Sequence, residues 1–280
     1  MTQQTVFITG ASTGIGLATA LQFDTLGWRV LAGVLPGENT DALSSRANVR
    51  IVPIDITKGT MIAAAAASIE REVGEQGLNG LINNAGMAVT GPMEFLPLDA
   101  LRLQFEVNMF GHVAVTQAVL PLLRKARGRI VNTVSVLGRT VTPFSGAYCM
   151  SKHAMEAFTD ALRMELRPWG IEVIAVEPGI IATPIWKKAE TNIDEIHDEL
   201  PPHGRELYGA DMRKMRTSMA RFERQGSPPQ VVALAMVDAL TNPKPKTRYL
   251  VGNEAALIGV LRLRLADRLV DWFTRRRYGL

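Results

Sequence analysis

The chain has 280 residues, a formal net charge of +4 and an apolar fraction of 47%, which is typical of a globular protein with one large or two small α/β domains. It has no run of 18 uninterrupted apolar residues, and its start, MTQQTVFITG, lacks a basic segment followed by an apolar one. We therefore expect neither a transmembrane helix nor a secretory signal peptide. Cys149 is the only cysteine, which excludes an intrachain disulfide and is compatible with the cytoplasmic location that we expect.

The spacing of the histidines argues against a metal site, and the distribution of charge argues against binding to nucleic acid. The four histidines show no metal-ligand spacing, so we expect no metal site. Residues 262–280 carry six arginines and two aspartates, which accounts for the net charge of the whole chain. A nucleic-acid binder would usually spread a basic footprint over its fold, so we expect no nucleic-acid partner.

Short, near-continuously apolar runs alternate with helical patterns along the chain. The predicted strands are TVFITG, WRVLAGV, VRIVPID, GLINNAG, GRIVNTVS, IEVIAVEPG and TRYLVG. Helical patterns cover 15–26, 60–73, 98–126 and 147–167, and a further one begins near Ser227. Such an alternation predicts a parallel sheet covered on both faces. We predict a single doubly wound, Rossmann-type α/β domain over 1–280, with about seven strands and a substrate lid over 184–226.

The first predicted strand runs into the glycine-rich stretch TGASTGIG, which opens a helix. Glycine lets the backbone approach a pyrophosphate closely, and the helix N-terminus supplies N–H donors. The GxxxGxG spacing differs from the common GxGxxG fingerprint, and a structural turn without a ligand is the alternative. We expect a dinucleotide to bind the turn residues, which are Gly10, Ser12, Thr13, Gly14, Ile15 and Gly16.

The ends of strands two and three bear on the identity of the dinucleotide. An acidic residue after strand two would bind the ribose hydroxyls of NAD, and a basic one the 2′-phosphate of NADP. Val34 and Leu35 stand there, and no Lys or Arg lies between Val30 and Ser45, so NAD is favoured over NADP. After strand three, the Asp55–Ile56 pair is predicted to reach the adenine, with a helix cap by Asp55 as a compatible alternative.

Six motifs follow one another in a fixed order: TGASTGIG, NNAG at 83–86, VNMFG at 107–111, VSVLG at 134–138, YCMSK at 148–152 and EPGIIAT at 177–183. Together they resemble the short-chain dehydrogenase/reductase family. The stretch SVLG…YCMSKHAMEAFTDALRMEL is most similar to its hydroxysteroid and retinol dehydrogenase branch. The resemblance implies an enzyme that transfers a hydride between NAD(P) and a secondary alcohol or ketone. It also implies a homodimer or homotetramer, formed through the two long helices.

The catalytic residues that the resemblance implies are Asn108, Ser135, Tyr148 and Lys152. Tyr148 and Lys152 lie one helical turn apart on a predicted helix. A cation within ~4–6 Å favours the phenolate, whose free pKa is about 10, so Tyr148 is predicted to be a general acid/base and not half of a surface pair. Ser135 follows strand five and can hydrogen-bond the substrate oxygen. The resemblance implies that Asn108 holds a water near Lys152.

The turns after strands four and six supply the remaining expected cofactor contacts. These are Asn84, Ala85, Gly86, Pro178, Gly179, Ile181 and Thr183. For the NNAG stretch, ordinary turn chemistry is the alternative. The resemblance implies that Ile181 and Thr183 contact the nicotinamide carboxamide. Cys149 is interpreted as a small core residue, not a redox group.

The substrate class rests largely on the resemblance, which favours a bulky apolar alcohol or ketone of steroid, retinoid or lipid type. Pro143 and Phe144 are predicted to form a pocket wall. Met212, Met215 and Met219 keep helical spacing, which favours core packing over a binding surface. A 3-oxoacyl reductase is an alternative, which the long lid and tail disfavour. A catalytically silent cofactor-binding protein is another, which the complete catalytic set disfavours.

The tail, LIGVLRLRLADRLVDWFTRRRYGL, has an amphipathic helical pattern. We expect a helix over 255–273 that docks on the domain or on a neighbouring subunit and leaves Arg275, Arg276 and Arg277 in solvent. The alternative is a peripheral helix on an anionic membrane.

Overall fold

The computed structural model describes residues 3–252, Ala255 and 267–279. Within them, one parallel sheet has the strand order β3-β2-β1-β4-β5-β6-β7. The strands are β1 (Thr5–Thr9), β2 (Arg29–Val34), β3 (Val49–Pro53), β4 (Gly80–Asn83), β5 (Arg129–Thr133), β6 (Glu172–Pro178) and β7 (Arg248–Val251). The predicted doubly wound parallel sheet is confirmed.

Helices cover both faces of this sheet. They are α1 (Gly14–Thr25), α2 (Asp41–Ser44), α3 (Gly59–Val73), α4 (Leu98–Phe105), α5 (Gly111–Ala126), α6 (Gly146–Glu165), α7 (Ile185–Glu199), α8 (Pro202–Gln225), α9 (Pro229–Thr241) and α10 (Asp267–Tyr278). Helices α1 and α9 pack on one face, where Phe23 and Met236 are fully buried. Helices α3 and α5 pack on the other, around Ile69 and Leu123. Every residue of β1 is buried, as expected for a strand covered on both sides.

The strand register brings the carboxyl ends of the strands to one edge. Thr9 of β1 pairs with Gly33 of β2, and Asn83 of β4 pairs with Asn132 of β5. The chain order reverses between β1 and β4, and ligands of open α/β sheets bind outside the carboxyl ends at such a switch point. The turns after β1, β4, β5 and β6 therefore meet at one site.

The helix predicted over 98–126 is not continuous. Helix α4 ends at Phe105, residues Glu106–Phe110 form one wider π-helical turn, and α5 begins at Gly111. Asn108 lies in this turn and is fully buried, with Oδ1 accepting from Met87 N and Nδ2 donating to Met87 O, both at 3.0 Å. A π-turn breaks the regular hydrogen-bond ladder without ending the helical direction, which a periodicity argument does not detect.

The predicted lid segment, 184–226, forms two helices, α7 and α8, which follow one another closely in the chain and pack together. The core between them contains Ile193, Ile196, Met212, Met215 and Met219, all buried. The prediction that the methionines pack in a core is confirmed. The lid role of this pair stays a prediction.

The C-terminal helix α10 extends to Tyr278, beyond the predicted end, while residues 256–266 of the predicted helix lie outside the described part. Its last turn contacts α8. The centre of the Tyr278 ring lies 5.7 Å from the centre of the Phe222 ring, and the Arg277 guanidinium carbon lies 5.9 Å from the same ring centre. Arg275 and Arg276 are exposed. The expectation of solvent exposure is wrong for Arg277, because the Phe222 ring offers it a cation–π contact.

Across the stretches with assigned structure, no helix has both the length and the apolar character needed to cross a bilayer.

Candidate active site

The carboxyl edge of the sheet opens into a cavity of about 610 Å³, within the size range of small-molecule sites. Three predicted site residues do not line it: Gly16 packs behind the glycine turn, Val34 points into the core, and Asn108 is buried behind Gly86. The other predicted site residues all line it. They are Gly10, Ser12, Thr13, Gly14, Ile15, Asp55, Ile56, Asn84, Ala85, Gly86, Ser135, Tyr148, Lys152, Pro178, Gly179, Ile181 and Thr183.

The glycine turn is built for a close approach of backbone groups. Gly10 and Gly14 have φ of +65° and +55°, where other residues are strained. A Cβ on Gly16 would lie 2.0 Å from Gly10 O, and one on Gly10 would lie 2.8 Å from Ala85 Cα. Helix α1 then begins at Gly14 with no side-chain cap on its first N–H groups. Those donors and the dipole fit a pyrophosphate.

The NNAG stretch braces this turn. Asn84 donates from Nδ2 to Thr9 O at 3.0 Å and to Gly10 O at 3.1 Å. Thr9 Oγ1 in turn accepts from the backbone N–H groups of Asn84 and Ala85. The side chain of Asn84 therefore holds the first and fourth strand ends together, and Ala85 and Gly86 face the cavity.

Tyr148 and Lys152 are brought together by the first turns of α6. Lys152 Nζ lies 5.6 Å from the centre of the Tyr148 ring and donates to Thr133 O at 2.9 Å. Ser135 caps a short 3₁₀ turn after β5, where its Oγ accepts from Leu137 N at 3.1 Å. A hydrogen bond also links Ser135 to Tyr148. A tyrosine, a serine and a lysine thus converge beside the glycine turn.

The ionisation of this cluster is dominated by burial. Burial raises the pKa of Tyr148 to about 12, although the hydrogen bond with Ser135 acts in the opposite direction and lowers it. Burial also lowers the pKa of Lys152 to about 8. Burial therefore dominates the ionisation of the phenol in this structure, and the acid/base role predicted for Tyr148 stays a prediction.

Asn108 connects the π-turn to α6. Besides its two bonds to Met87, Nδ2 donates to Ser151 Oγ at 3.2 Å. Its Oδ1 lies 3.5 Å from the place where a Cβ on Gly86 would stand. The side chain therefore braces the wall behind Lys152, and the predicted water relay stays a prediction.

His112, one turn after Asn108, is a site residue that the sequence analysis missed. It is fully buried, and Nε2 lies 2.8 Å from Ala85 O. Burial, and then the charge of Lys152, lower the pKa of His112 to about 3. The imidazole is therefore neutral and donates its Nε2 proton to Ala85, which holds the NNAG stretch against α5. Its position four residues after Asn108, on the same helix face, was the available signal.

The part of the cavity at the ends of β2 and β3, where the adenosine is predicted to bind, differs from the prediction in two places. Asp55 accepts from Thr57 N at 2.9 Å and from Thr57 Oγ1 at 2.7 Å, and the N-cap of α3 is Lys58. Asp55 thus closes a side-chain turn and does not cap the helix. Glu38, which the sequence analysis did not consider, lines the cavity and accepts a hydrogen bond from Ser12 Oγ.

The opposite half of the cavity is apolar. Its wall includes Met87, Leu137, Trp186, Met219 and Phe273. The predicted wall residues Pro143 and Phe144 do not line it. Phe144 has a φ of +62° and turns its ring to Tyr208, with 6.3 Å between ring centres. This left-handed residue directs the side chain into the lid core and away from the cavity.

No cluster of three or more His, Cys, Asp or Glu side chains is placed to hold a metal ion in the described ranges. Cys149 is buried next to Tyr148, and burial raises the pKa of its thiol, as expected for a small core residue.

Comparison with known proteins agrees with this geometry. The family model described as short chain dehydrogenase matches residues 4–194. Retinol dehydrogenase 5 of Mus musculus is 37% identical, over 97% of this chain and 89% of that protein. The 17-beta-hydroxysteroid dehydrogenase type 6 of Bos taurus is 38% identical, over 98% of this chain and 88% of that protein.

Two solved structures have the same fold. A short-chain dehydrogenase from Burkholderia cenocepacia in complex with NADP has a TM-score of 0.73 and 26% identity, covering 99% of this chain and 98% of that one. A short-chain dehydrogenase/reductase from Burkholderia phymatum in complex with NAD has a TM-score of 0.77 and 24% identity, covering 96% and 95%. The chain belongs to the short-chain dehydrogenase family and is an oxidoreductase of its hydroxysteroid and retinol dehydrogenase branch.

Proposed function

We propose that this oxidoreductase transfers a hydride between a nicotinamide dinucleotide and a bulky, apolar secondary alcohol or ketone, with Tyr148 as the general acid/base. The observation that carries the proposal is the convergence of Tyr148, Ser135 and Lys152 on one cavity with an uncapped glycine turn. The left-handed glycines and the free first-turn N–H groups fit a pyrophosphate. The cofactor contacts are the predicted residues that line this cavity.

Each catalytic side chain has a defined task at the substrate oxygen. When bound, the nicotinamide accepts or donates the hydride, and its oxidised form carries a positive charge. In the oxidation direction the deprotonated Oη of Tyr148 takes the hydroxyl proton, and the carbinol hydrogen leaves with its electron pair as the hydride that a bound nicotinamide would accept. Ser135 Oγ donates a hydrogen bond to the same oxygen. Burial raises the pKa of Tyr148, and the nearby positive charges of Lys152 and of the oxidised nicotinamide would lower it.

The apolar half of the cavity supports the proposed substrate class. Its wall is formed by Met87, Leu137, Trp186, Met219 and Phe273, and flexible methionines adapt to bulky apolar ligands. Similarity to a retinol dehydrogenase and to a hydroxysteroid dehydrogenase supports the same class. Helices α7 and α8 would act as the lid over this substrate.

NAD is the proposed cofactor, with NADP as the second candidate. No cation lies between Val30 and Ser45, and the carboxylate of Glu38 stands at the adenosine end of the cavity. A carboxylate accepts hydrogen bonds from ribose hydroxyls and repels a 2′-phosphate. The NADP complex of the Burkholderia cenocepacia protein keeps the second candidate open.

Exposed apolar side chains on the long helices support a homodimer or homotetramer. Phe110 in the π-turn is 56% exposed, and Met150 and Met164 on α6 are 45% and 64% exposed. Sedimentation velocity of the protein and of its Met164→Glu variant tests this assembly, because a charge in an apolar interface shifts the distribution towards monomer. An unchanged distribution of sedimentation coefficients would show that Met164 of α6 does not lie in a subunit interface.

A substrate screen tests the proposed activity. Purified protein is mixed with NAD or NADP and with steroid, retinoid and hydroxy-lipid alcohols, or with the reduced cofactors and 3-oxoacyl substrates, and the absorbance of reduced nicotinamide is followed. Turnover of at least one bulky apolar alcohol supports the proposal. Turnover confined to 3-oxoacyl substrates would support the reductase alternative, and cofactor binding without turnover would support a catalytically silent protein.

A further inference from the structure

The short turn that begins with Ser135 is attached to β6 at both of its ends. At its start, Ser135 Oγ donates to Pro178 O at 3.4 Å. At its end, four residues later, Arg139 forms an ion pair with Glu177, which directly precedes Pro178. Two adjacent residues of β6 therefore hold the two ends of a turn of five residues.

The ion pair joins the guanidinium group of Arg139 to both carboxylate oxygens of Glu177. Arg139 Nη2 donates to Glu177 Oε1 at 2.7 Å, and Arg139 Nε lies 2.6 Å from Glu177 Oε2. Glu177 is fully buried. Two contacts between planar groups fix their relative orientation as well as their distance. The pair therefore determines where the turn ends relative to β6.

Further charged groups reach Glu177 from β7 and, through it, from α6. Arg248 of β7 has Nε 3.4 Å from Glu177 Oε1. Its Nη2 donates to Glu156 Oε2 at 3.1 Å and to Asp160 Oδ1 at 2.7 Å, both on α6. Arg163 also donates to Asp160, at 3.0 Å. Together with the arginine of the turn, three guanidinium groups thus face three carboxylates, and the charges of this network balance.

The same turn packs closely against α6, the helix that carries Tyr148 and Lys152. A Cβ on Gly138 would lie 3.0 Å from Lys152 O and 3.1 Å from Glu156 Cγ. A hydrogen bond links Ser135 to Tyr148. A shift of the turn would therefore change the distance between the Ser135 hydroxyl and the phenol.

The burial of Glu177 has a cost in free energy. Burial raises the pKa of Glu177 to about 7, although the two neighbouring guanidinium groups lower it. A buried ion pair is often no more stabilising than apolar residues of the same volume. We therefore expect the contribution of this pair in the geometry of the turn and not in overall stability.

We propose that Glu177, through Arg139, is a positioning residue that holds the Ser135 hydroxyl at the substrate oxygen. Neither member of the pair lines the cavity, so the pair acts through the turn and not on the substrate. This inference rests on the proposed hydride transfer, in which Ser135 donates to the substrate oxygen. It makes that donor depend on a buried carboxylate outside the cavity.

The isosteric variant Glu177→Gln tests this role. The amide keeps the volume of the side chain but replaces one acceptor oxygen by a donor, so one of the two contacts with the Arg139 guanidinium is lost. The kcat for the substrate found in the screen should fall at least about tenfold, because a displacement of about 1 Å at a catalytic group costs up to about 10²-fold. The dissociation constant of the cofactor should stay within about threefold, since the glycine turn is unchanged.

A double-mutant cycle distinguishes positioning of Ser135 from a general structural effect. If Glu177 acts through the Ser135 hydroxyl, Glu177→Gln should lower kcat by less than about threefold once Ser135→Ala is present. Independent, multiplicative losses in the double variant would overturn the proposal. Glu172→Gln is a matched control that should leave kcat unchanged. Glu172 lies on the same strand, and its ion pair with Arg129, at 3.3 Å, joins β5 to β6 at the opposite end.

Amide hydrogen exchange of the full chain gives a readout that needs no substrate. The three amide groups of residues 137–139 donate hydrogen bonds within the turn. Their exchange in Glu177→Gln should be at least about tenfold faster than in Glu172→Gln, because the end of the turn is released. If Glu177→Gln fails to fold, Arg139→Met replaces it. Arg139→Lys, which keeps the positive charge, should then retain more protection and more turnover than Arg139→Met.

The outcomes separate the positioning role from the function on which it rests. A folded protein that turns over none of the screened substrates would overturn the proposed function, and the exchange measurement would still decide whether Glu177 holds the turn. Unchanged exchange of residues 137–139 in Glu177→Gln would overturn the positioning role alone. A kcat of Glu177→Gln within about threefold of that of the unchanged protein would do the same.

Discussion

Lys152 directs its ammonium group to the carbonyl oxygen of Thr133, 2.9 Å from Nζ, while the centre of the Tyr148 ring lies 5.6 Å away. The end of β5 thus orients the lysine, and the charge faces the phenol from one helical turn below. Because Lys152 is only 4% exposed, the folded protein keeps this charge at a cost in hydration.

This cost makes stability depend on pH in a defined window. Burial lowers the pKa of Lys152 from 10.5 to about 8, so the penalty is complete below pH 8 and is relieved as the pH rises towards 10.5. In the cofactor-free protein, stability relative to Lys152→Met should therefore increase over this window, by about 3 kcal/mol at most. Urea unfolding of both proteins at the two ends of the window measures the difference. A difference that falls with pH would contradict the buried ammonium.

Ser135→Ala should separate chemistry from cofactor binding. The hydroxyl is placed to stabilise charge on the substrate oxygen, so turnover should fall by about 10²–10³-fold. The dissociation constant of the cofactor should change little, because the glycine turn is untouched. Ser135→Thr, which keeps a hydroxyl, is the control and should retain more turnover than Ser135→Ala. Equal losses in the two variants would indicate that packing after β5, and not the hydroxyl, is what matters.

His112 should contribute to acid sensitivity. Its pKa falls from 6.5 to about 3 in the folded state through burial and the Lys152 charge. Below pH 6.5 the unfolded chain therefore binds a proton at His112 that the folded chain does not bind. The free energy of unfolding falls as the pH falls, by about 1.4 kcal/mol per pH unit at most. His112→Gln should lack this slope while keeping a donor for Ala85 O. Denaturant unfolding over this pH range compares the two, and identical slopes would contradict a buried neutral imidazole.

A donor-free variant tests the contact with Ala85 separately. His112→Phe leaves the carbonyl of Ala85 without its buried partner and should destabilise the protein by about 1–3 kcal/mol. His112→Gln at neutral pH is its control. Equal stability of the two variants would show that the hydrogen bond at 2.8 Å contributes nothing measurable.

The end of α10 should affect substrate binding. Arg277 and Tyr278 contact Phe222 and line the cavity. Deletion of residues 274–280 should therefore raise KM for an apolar substrate several-fold, while the dissociation constant of the cofactor stays unchanged. The control is an Arg275→Gln, Arg276→Gln variant, which alters two exposed positions only. An unchanged KM after deletion would mean that the last turn does not shape the substrate half.

The fold could be predicted because its signals are local. The run TVFIT is apolar enough to be buried at every position of β1, and alternation with helices identifies a parallel doubly wound sheet. Most predicted site residues share one cavity because they follow strand ends, and parallel strands end at one edge.

The features that escaped prediction depend on contacts between distant segments or on local backbone geometry. Lys188 reaches Glu38 across 150 positions of the chain, and no pattern in either segment indicates this. The π-turn around Asn108 keeps helical periodicity in the sequence while changing the hydrogen bonds. The pKa of Tyr148 is raised because the surrounding elements bury the phenol. The four-residue spacing to Lys152 in the sequence gives no information about this burial.

The proposed catalytic role of Tyr148 is tested most directly by the turnover of Tyr148→Phe. The phenyl ring keeps the packing of the first turn of α6, so thermal unfolding and cofactor binding should match those of the unchanged protein. Turnover of the substrate identified in the screen should fall by at least about 10²–10⁴-fold, the usual contribution of general acid–base catalysis. Near-normal turnover by a folded, cofactor-binding Tyr148→Phe variant would contradict the proposed mechanism.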